Sequence, residues 1–237
     1  MATASPATFA LLGLLASRSW TGYELTRQVQ RSLRFTWPTS ESHLYREQAR
    51  LVDLGWATVE EEPVGERTRK RYAITTTGQE ALRTWLSTRP QQPQFHVEGI
   101  LRAFYADRGE VADLITSMRA TAEMSRSIRA ELLSFVEEYL EDGGPMTMLE
   151  QGIGHPNDRR EFHGRPMFPE RLPVVALAID AMVQLLATID DFCDTIASEV
   201  AQWPSTTHPS LAQPTRQRLE RIAATGTARH PGSPSGG

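Results

Sequence analysis

The hydrophobic pattern of the first 90 residues constrains the fold more strongly than any other feature of the sequence. Apolar residues at helical spacing predict a short helix over 8–17 and a second helix that begins after Thr21, where Glu24 completes a capping box. A third helix is predicted to end near Leu54, because Gly55 is a residue that typically stops a helix. Three short helices therefore precede any strand.

The spacing of apolar residues then changes from helical to alternating. Residues 56–59 and 71–75 are predicted to form two strands around a turn at 63–68, and Thr76 or Thr77 is expected to cap a fourth helix. This order of elements is that of a winged helix-turn-helix, in which one helix fits the major groove of DNA and the hairpin reaches neighbouring phosphates.

The rest of the chain is predicted to be helix and loop. Helical spacing covers 95–106, 110–141 and 173–202, while the Gly- and Pro-rich segment 143–173 indicates a long irregular connection. The last helix carries an apolar seam with gaps of three and four residues, as in a coiled coil. The seam consists of Val174, Ala178, Ala181, Leu185, Ile189, Phe192 and Ile196. One copy of the chain is not expected to bury this seam, so the pattern predicts a homodimer.

These patterns assign the chain to the mostly α class with a small β-hairpin wing. A winged helix-turn-helix domain is predicted over 1–90 and an all-helical dimerisation and effector domain over 94–203. The remaining 204–237 is expected to be a largely disordered tail, with a short helix near 211–224 left open.

Charge is distributed unevenly between the predicted domains. Residues 1–90 contain 12 basic and 9 acidic side chains, whereas the remainder contains 13 basic and 20 acidic ones, which gives −4 overall. A basic first part on an acidic remainder is expected if only the first part meets a polyanion. No apolar run of membrane-spanning length and no signal peptide is recognised, so the protein is expected to be cytoplasmic, without a membrane partner.

The predicted third helix has polar and basic side chains on one side and leucines for the core on the other. Its candidate DNA-contacting residues are Ser40, Ser42, His43, Tyr45, Arg46 and Arg50. The hairpin tip adds a basic run, Arg67, Arg69, Lys70 and Arg71, that suits phosphate contact. Serine and histidine also cap helices, and charged runs also mark solvated turns, so the joint placement on one small fold is what favours DNA binding.

The same residues resemble the PadR-type transcriptional regulators. The resemblance rests on the segments 10–15, 21–25, 40–47, 50–55, 71–75 and 77–78, which occur in order within residues 8–90. The acidic helical remainder looks like the longer C-terminal domain of one subfamily. Two positions depart from the family pattern: Arg46 stands where many members have Pro, and Ala49 where they have Lys.

The resemblance implies a homodimeric repressor that binds a palindromic operator in double-stranded DNA and releases it on binding a small-molecule effector. It also implies a DNA role for Tyr23, for the third-helix candidates and for the wing. Apolar residues in the segment 143–173 suggest an effector site near the domain boundary, with Trp85, Phe162 and Phe168 as candidates. Plain packing of these side chains onto the helices is the alternative.

Other chemistry is not expected. His155, Asp158 and His163 match no zinc spacing, so no metal site is predicted, and Cys193 is expected to be a buried thiol. A solvated helix face is expected at Asp190, Asp191 and Asp194. The sequence contains no recognised cofactor loop or catalytic signature, so we expect no cofactor and no enzyme activity.

Two other functions are open to a winged helix. One is a protein-interaction module without specific DNA binding, which usually lacks a basic wing. The other is non-specific DNA packaging, which the acidic C-terminal part argues against, because a coating protein gains from overall positive charge.

Overall fold

The computed structural model describes residues 4–64, 67–152 and 160–227. Its first elements follow the predicted order, except that a short strand, which was not predicted, lies between the first two helices. They are α1 (Pro6–Leu15), β1 (Trp20–Thr21), α2 (Gly22–Leu33), α3 (Glu41–Asp53), β2 (Ala57–Val64), β3 (Arg67–Ile74) and α4 (Thr76–Ser87). Thr21 caps α2 through the predicted capping box with Glu24, and Ser40 caps α3. Each cap supplies an acceptor to N–H groups that the first helical turn leaves unpaired.

The apolar faces of α1, α2 and α3 form one core. Leu11 and Leu12 of α1, Leu25 of α2, and Leu44 and Leu51 of α3 are all completely buried in it. Full burial of each leucine side chain stabilises the fold by about 2 kcal/mol, so mutual packing fixes these three helices.

The sheet is longer than the alternating pattern predicts. Strand β3 lies between β1 and β2 and is antiparallel to both. The ladder of β2 and β3 extends from Ala57 opposite Ile74 to Val64 opposite Arg67, so most of the predicted turn is strand. The basic run therefore lies along β3 and not in a loop. Glutamates of β2 stand opposite those basic residues, and such pairs stabilise strands without any apolar alternation.

The rest of the described chain is mostly helical but contains a second hairpin that was not predicted. Its elements are α5 (Glu98–Ala103), α6 (Val111–Leu140), α7 (Pro145–Glu150), β4 (Arg160–Phe162), β5 (Arg165–Met167), α8 (Leu172–Val200) and α9 (Ala212–Thr227). The two long helices match their predicted spans closely. His163 and Gly164 join β4 to β5 with φ angles of 51° and 68°, as a tight two-residue turn requires. The expected irregular connection is thus partly regular.

The described residues divide into two compact units, and the division does not follow the predicted domain boundaries. One unit combines the chain up to Gln94 with Ala130–Val183, and the other combines Phe95–Arg129 with the chain from Gln184 onward. A helix of 30 residues is about 45 Å long, so α6 and α8 each contribute residues to both units. Hydrophobic spacing predicts such a helix but not which neighbours each part of it meets.

In the first unit, residues beyond 130 pack against the winged helix. The ring of Phe168 lies 5.8 Å from the ring of Trp20. Glu138 of α6 accepts hydrogen bonds from Arg31 of α2 at 3.4 Å and from Arg165 of β5 at 3.0 Å. Apolar packing and ion pairing therefore both hold this segment to the winged helix.

The second unit has its own core between α6 and α8. The buried members are Leu114, Met118, Ala122, Cys193, Ala197 and Val200. Burial raises the pKa of the Cys193 thiol, and the nearby Asp194 and Asp190 raise it further. These surroundings agree with the expected buried thiol, because a protonated thiol is a poor nucleophile.

The prediction of a solvated acidic face on α8 is wrong at Asp190. This carboxylate is 4% exposed and accepts hydrogen bonds from Arg126 and from Arg129, the latter at 3.1 Å. Arg126 also donates to Asp194 at 2.8 Å. Two arginines on α6 make burial of the carboxylate tolerable, and the spacing of acidic residues along α8 alone could not reveal them.

The expected tail contains the helix that the sequence left open, slightly longer than the range considered. Helix α9 covers Ala212–Thr227, and its Arg218 forms an ion pair with Glu199 of α8. The expected disorder of residues 228–237 lies outside the described residues.

We expect Gly78→Ala to destabilise the winged helix. A Cβ added to Gly78 in α4 would lie 2.1 Å from the backbone oxygen of Trp56 and 3.0 Å from Cγ1 of Ile74, so the strand or the helix must shift. The free energy of unfolding should fall by about 2 kcal/mol, measured by urea unfolding followed by circular dichroism.

Gly13→Ala in α1 is the matched control. Nothing lies within 4 Å of a Cβ added there, so alanine should raise the stability by about 0.5 kcal/mol through its better helix propensity. Equal stabilities of the two variants would contradict the steric argument.

Candidate nucleic-acid interface

A buried amide fixes the geometry of α2 and α3. Gln48 of α3 is 1% exposed, and its Nε2 donates to the Gly22 carbonyl at 3.0 Å and to Oγ1 of Thr26 at 2.8 Å. A Cβ on Gly22 would lie 2.7 Å from Oε1 of Gln48, so the close approach of the two helices favours glycine at that position. The helix pair is thereby held in one relative orientation.

This orientation leaves one face of α3 in solvent. Leu44 and Leu51 point into the core, while Ser42, Tyr45 and Arg46 are exposed. His43 and Arg50 lie at the edge of the exposed face and are half-buried. The residues singled out on α3 from the sequence therefore share one accessible surface, as base contact requires.

Two of the predicted contact residues also have structural partners. Ser40 accepts a hydrogen bond from the His43 backbone at 3.4 Å as the N-cap of α3, and its Oγ lies 3.3 Å from that of Ser42. Tyr23, 62% exposed on α2, accepts a hydrogen bond from Arg27 at 3.4 Å. The capping role considered for Ser40 is thus present, and a DNA contact by either residue stays a prediction.

The wing is less basic than its sequence run indicates. Opposite one another in register stand Glu60 and Arg71, Glu61 and Lys70, and Glu62 and Arg69. Residues directly opposite in an antiparallel pair lie on the same face, so each of these three positive charges has a carboxylate as its neighbour.

Glu62 is bonded to two arginines of the wing, Arg69 and Arg71, and these two have different roles. It accepts hydrogen bonds from Arg71 and from Arg69, the latter at 2.9 Å, and the hydrogen bond from Arg71 contributes most to lowering the pKa of Glu62. Arg71 is the more buried and also donates to the Ser19 carbonyl at 3.5 Å, so it ties the wing to the domain. Arg69 is half exposed and, with the exposed Lys70, remains accessible to a phosphate. The side chain of Arg67 lies outside the described residues.

Three features of this region were not predicted from the sequence. Glu47 and Gln48 are buried on the inner side of α3, where alternation of polar and apolar residues predicts only leucines. Trp37, in the loop before α3, is 47% exposed. Glutamates at strand spacing in β2, set against the basic run in β3, were the signal that could have revealed the paired wing.

The three candidate effector residues belong to separate ring pairs. Trp85 stacks on Phe9 with centroids 4.8 Å apart, Phe168 packs on Trp20, and Phe162 lies 4.1 Å from the His163 ring. For Trp85 and Phe168 the structure supports the alternative of plain packing, because both side chains lie over the winged-helix core. An effector role for these residues stays a prediction.

The discounted metal candidates do not meet within the described residues. His163 pairs with Glu141 at 2.7 Å, whereas His155 and Asp158 lie outside the described part of the chain. In the described ranges no three His, Cys, Asp or Glu side chains are grouped as metal ligands.

Sequence comparison relates this region to known regulators. Residues 11–84 match the transcriptional regulator PadR-like family. The negative transcriptional regulator PadR of Bacillus subtilis (strain 168) is 26% identical over 152 residues, which cover 62% of this chain and 82% of PadR.

Solved structures share the fold. Bacillus subtilis PadR in complex with operator DNA has a TM-score of 0.61 at 17% identity, covering 81% of this chain and 98% of that chain. The complex of the same protein with p-coumaric acid has a TM-score of 0.57 at 17% identity, with coverages of 85% and 100%. The Vibrio cholerae virulence activator AphA gives 0.57 at 18% identity, with coverages of 82% and 98%. The family match spans the second half of α1, all of α2 and α3, the wing and most of α4. Residues 11–84 of this chain therefore match the PadR-like family of transcriptional regulators, and the described chain shares its fold with solved PadR structures.

Proposed function

We propose that the protein is a dimeric, sequence-specific DNA-binding repressor that acts in the cytoplasm. The observation that carries the proposal is the outer face of α3, where Ser42, Tyr45 and Arg46 project from a helix whose inner face is locked into the core. A helix of 13 residues is about 20 Å long, and its width suits the major groove. Neither this role nor the described side chains call for enzyme chemistry.

The relatives support repression by DNA binding. The curated relative is named a negative regulator, and its structure has been solved with operator DNA. A winged helix used only for protein contact was the alternative, and the paired charges of the wing weaken the electrostatic argument against it. The polar face of α3 and the family of transcriptional regulators favour DNA.

We propose that two copies pair through α8, because apolar side chains of its seam are exposed to water in the single chain. Val174, Leu185 and Phe192 are 62%, 45% and 49% exposed in the single chain. A parallel or antiparallel partner helix would remove these side chains from water, and two copies would present two winged helices to a palindromic operator.

The apolar character of α8 has another interpretation that must be weighed. The stretch Pro169–Val200 is long and apolar enough to cross a membrane by length and composition, contrary to the expectation from the sequence. However, its buried Asp190 is held by Arg126 and Arg129 of α6, and charged groups at mid-helix are costly in lipid. Helix pairing in water would cover the seam while leaving Asp191 and Asp194 in solvent, so we propose a dimer and not a membrane span.

We further propose that a small molecule releases the protein from DNA. The support is the family and the relative's complex with p-coumaric acid. Such a ligand must bind the released geometry better than the DNA-bound one, because equal affinity shifts nothing. Thermal shifts with p-coumaric acid and other flat aromatic acids, followed by DNA release assays, test the idea; a panel without stabilisation or release would contradict it.

DNA recognition itself can be tested without knowledge of the operator. Selection from a random duplex library by the full chain should yield a palindromic consensus with half-sites about one helical turn apart. Selection that returns no consensus would overturn the proposed function.

We expect Phe192→Lys to convert the dimer to a monomer at micromolar concentration, because it places a charge in the seam. Light scattering gives the mass, and circular dichroism should show unchanged helix content. Ser198→Lys, an exposed substitution on the same helix but outside the seam, is the control and should remain dimeric. A dimeric Phe192→Lys would place the interface elsewhere.

We expect the two carboxylate-linked arginines of the wing to respond differently to substitution. Arg69→Ala should weaken binding to every duplex alike and lower the salt slope by about one, the loss of one phosphate contact. Glu62→Gln should strengthen binding, because it removes an anion beside Arg69. Arg71→Ala should instead lower the melting temperature, since this residue joins the wing to Ser19. DNA titrations at several salt concentrations measure both the affinity and the salt slope. A Glu62→Gln variant that binds DNA more weakly than wild type would contradict the role assigned to Glu62.

A further inference from the structure

A buried acid lies on the inner side of the DNA-facing helix, and the DNA contacts proposed above make no use of it. Glu47 of α3 is 5% exposed. A carboxylate removed from water is costly unless it is paired and hydrogen-bonded, so its partners are informative.

The two carboxylate oxygens face different neighbours. Oε2 accepts a hydrogen bond from the hydroxyl of Thr8, which is completely buried on α1. Oε1 lies 3.7 Å from Nε2 of His43 and 3.7 Å from Nη1 of Arg50. Glu47 therefore joins the core helix α1 to two side chains at the edge of the exposed face of α3.

A third candidate DNA contact is linked to this group. Nη2 of Arg46 lies 3.4 Å from Nδ1 of His43. An arginine can only donate, so Nδ1 is the acceptor in this contact, and Nε2 is the nitrogen that faces Glu47. One carboxylate thus organises His43 directly, Arg50 directly and Arg46 through His43.

We propose that Glu47 is a positioning residue for base reading, an inference that rests on the proposed DNA-binding function. It sets the direction of His43 and Arg50 before DNA arrives, and through His43 that of Arg46. Long arginine side chains lose rotamer freedom on binding, so side chains already held in place need less ordering at the base edge. The Thr8 hydroxyl holds the carboxylate in place from the opposite side.

The proposal differs from a purely structural role in what it predicts. A carboxylate that only supports the fold would change stability and affect all duplexes alike. A positioning residue affects discrimination between duplexes, because misdirected side chains keep their charge but lose their geometry at particular base pairs.

The test compares Glu47→Gln with wild type on the duplex selected by the wild-type full chain and on a scrambled duplex of equal length. The amide keeps the shape and can still accept from Thr8, but it removes the charge. The ratio of the two dissociation constants should fall about tenfold, without a smaller salt slope, because no phosphate contact is removed. Melting temperatures are measured alongside.

Two further variants make the result decisive. Asp53→Asn removes one exposed negative charge from the same helix, outside the group around Glu47, and should leave the ratio unchanged. Glu47→Asp keeps the charge but withdraws it by one methylene, and it should also lose discrimination; this variant decides if Glu47→Gln does not fold.

A folded Glu47 variant whose ratio stays within about threefold of wild type overturns the proposal, as does an equal loss in Asp53→Asn. If the wild-type chain shows no preference between the duplexes, it is the proposed function that fails. The two failures are therefore distinguishable in one experiment.

Discussion

The position of α3, and therefore of its outer face, depends on the buried amide of Gln48, which makes two hydrogen bonds to α2. An amide left unsatisfied in that position would cost about 1–3 kcal/mol, comparable with a large part of the margin by which small domains are stable. Its two acceptors, the Gly22 carbonyl and the Thr26 hydroxyl, lie on successive turns of α2, so the bonds fix both distance and rotation. The leucine core supplies the stability of the winged helix, and this polar contact supplies its geometry.

The features that depend only on residues close together in the sequence were predictable. The cap at Thr21, the end of α3 near Gly55, and the spans of α6 and α8 all follow from propensity and apolar spacing. The exposed face of α3 was predictable for the same reason, since helical periodicity separates its leucines from its polar residues.

Features that depend on partners distant in sequence were not predictable. Asp190 looks like any solvated acid until Arg126 and Arg129 are brought beside it from α6. The aromatic residues proposed for an effector site are apolar, and apolar side chains serve internal packing as well as ligand binding. Composition alone therefore could not show that Trp85 stacks on Phe9. In the sequence Glu47 belongs only to a segment that resembles the family, and its buried hydrogen-bond partner, Thr8, lies 39 residues earlier.

The glutamate ladder of β2 has a consequence for how the proposed repressor would search a genome. Attraction to arbitrary DNA grows with the number of phosphates that a surface neutralises, and carboxylates opposite Lys70, Arg69 and Arg71 reduce that number. When the attraction to arbitrary DNA is weak, fewer protein molecules are held at the millions of competing non-specific sites. For the repressor proposed above, fewer molecules per cell would then be needed to occupy a single operator.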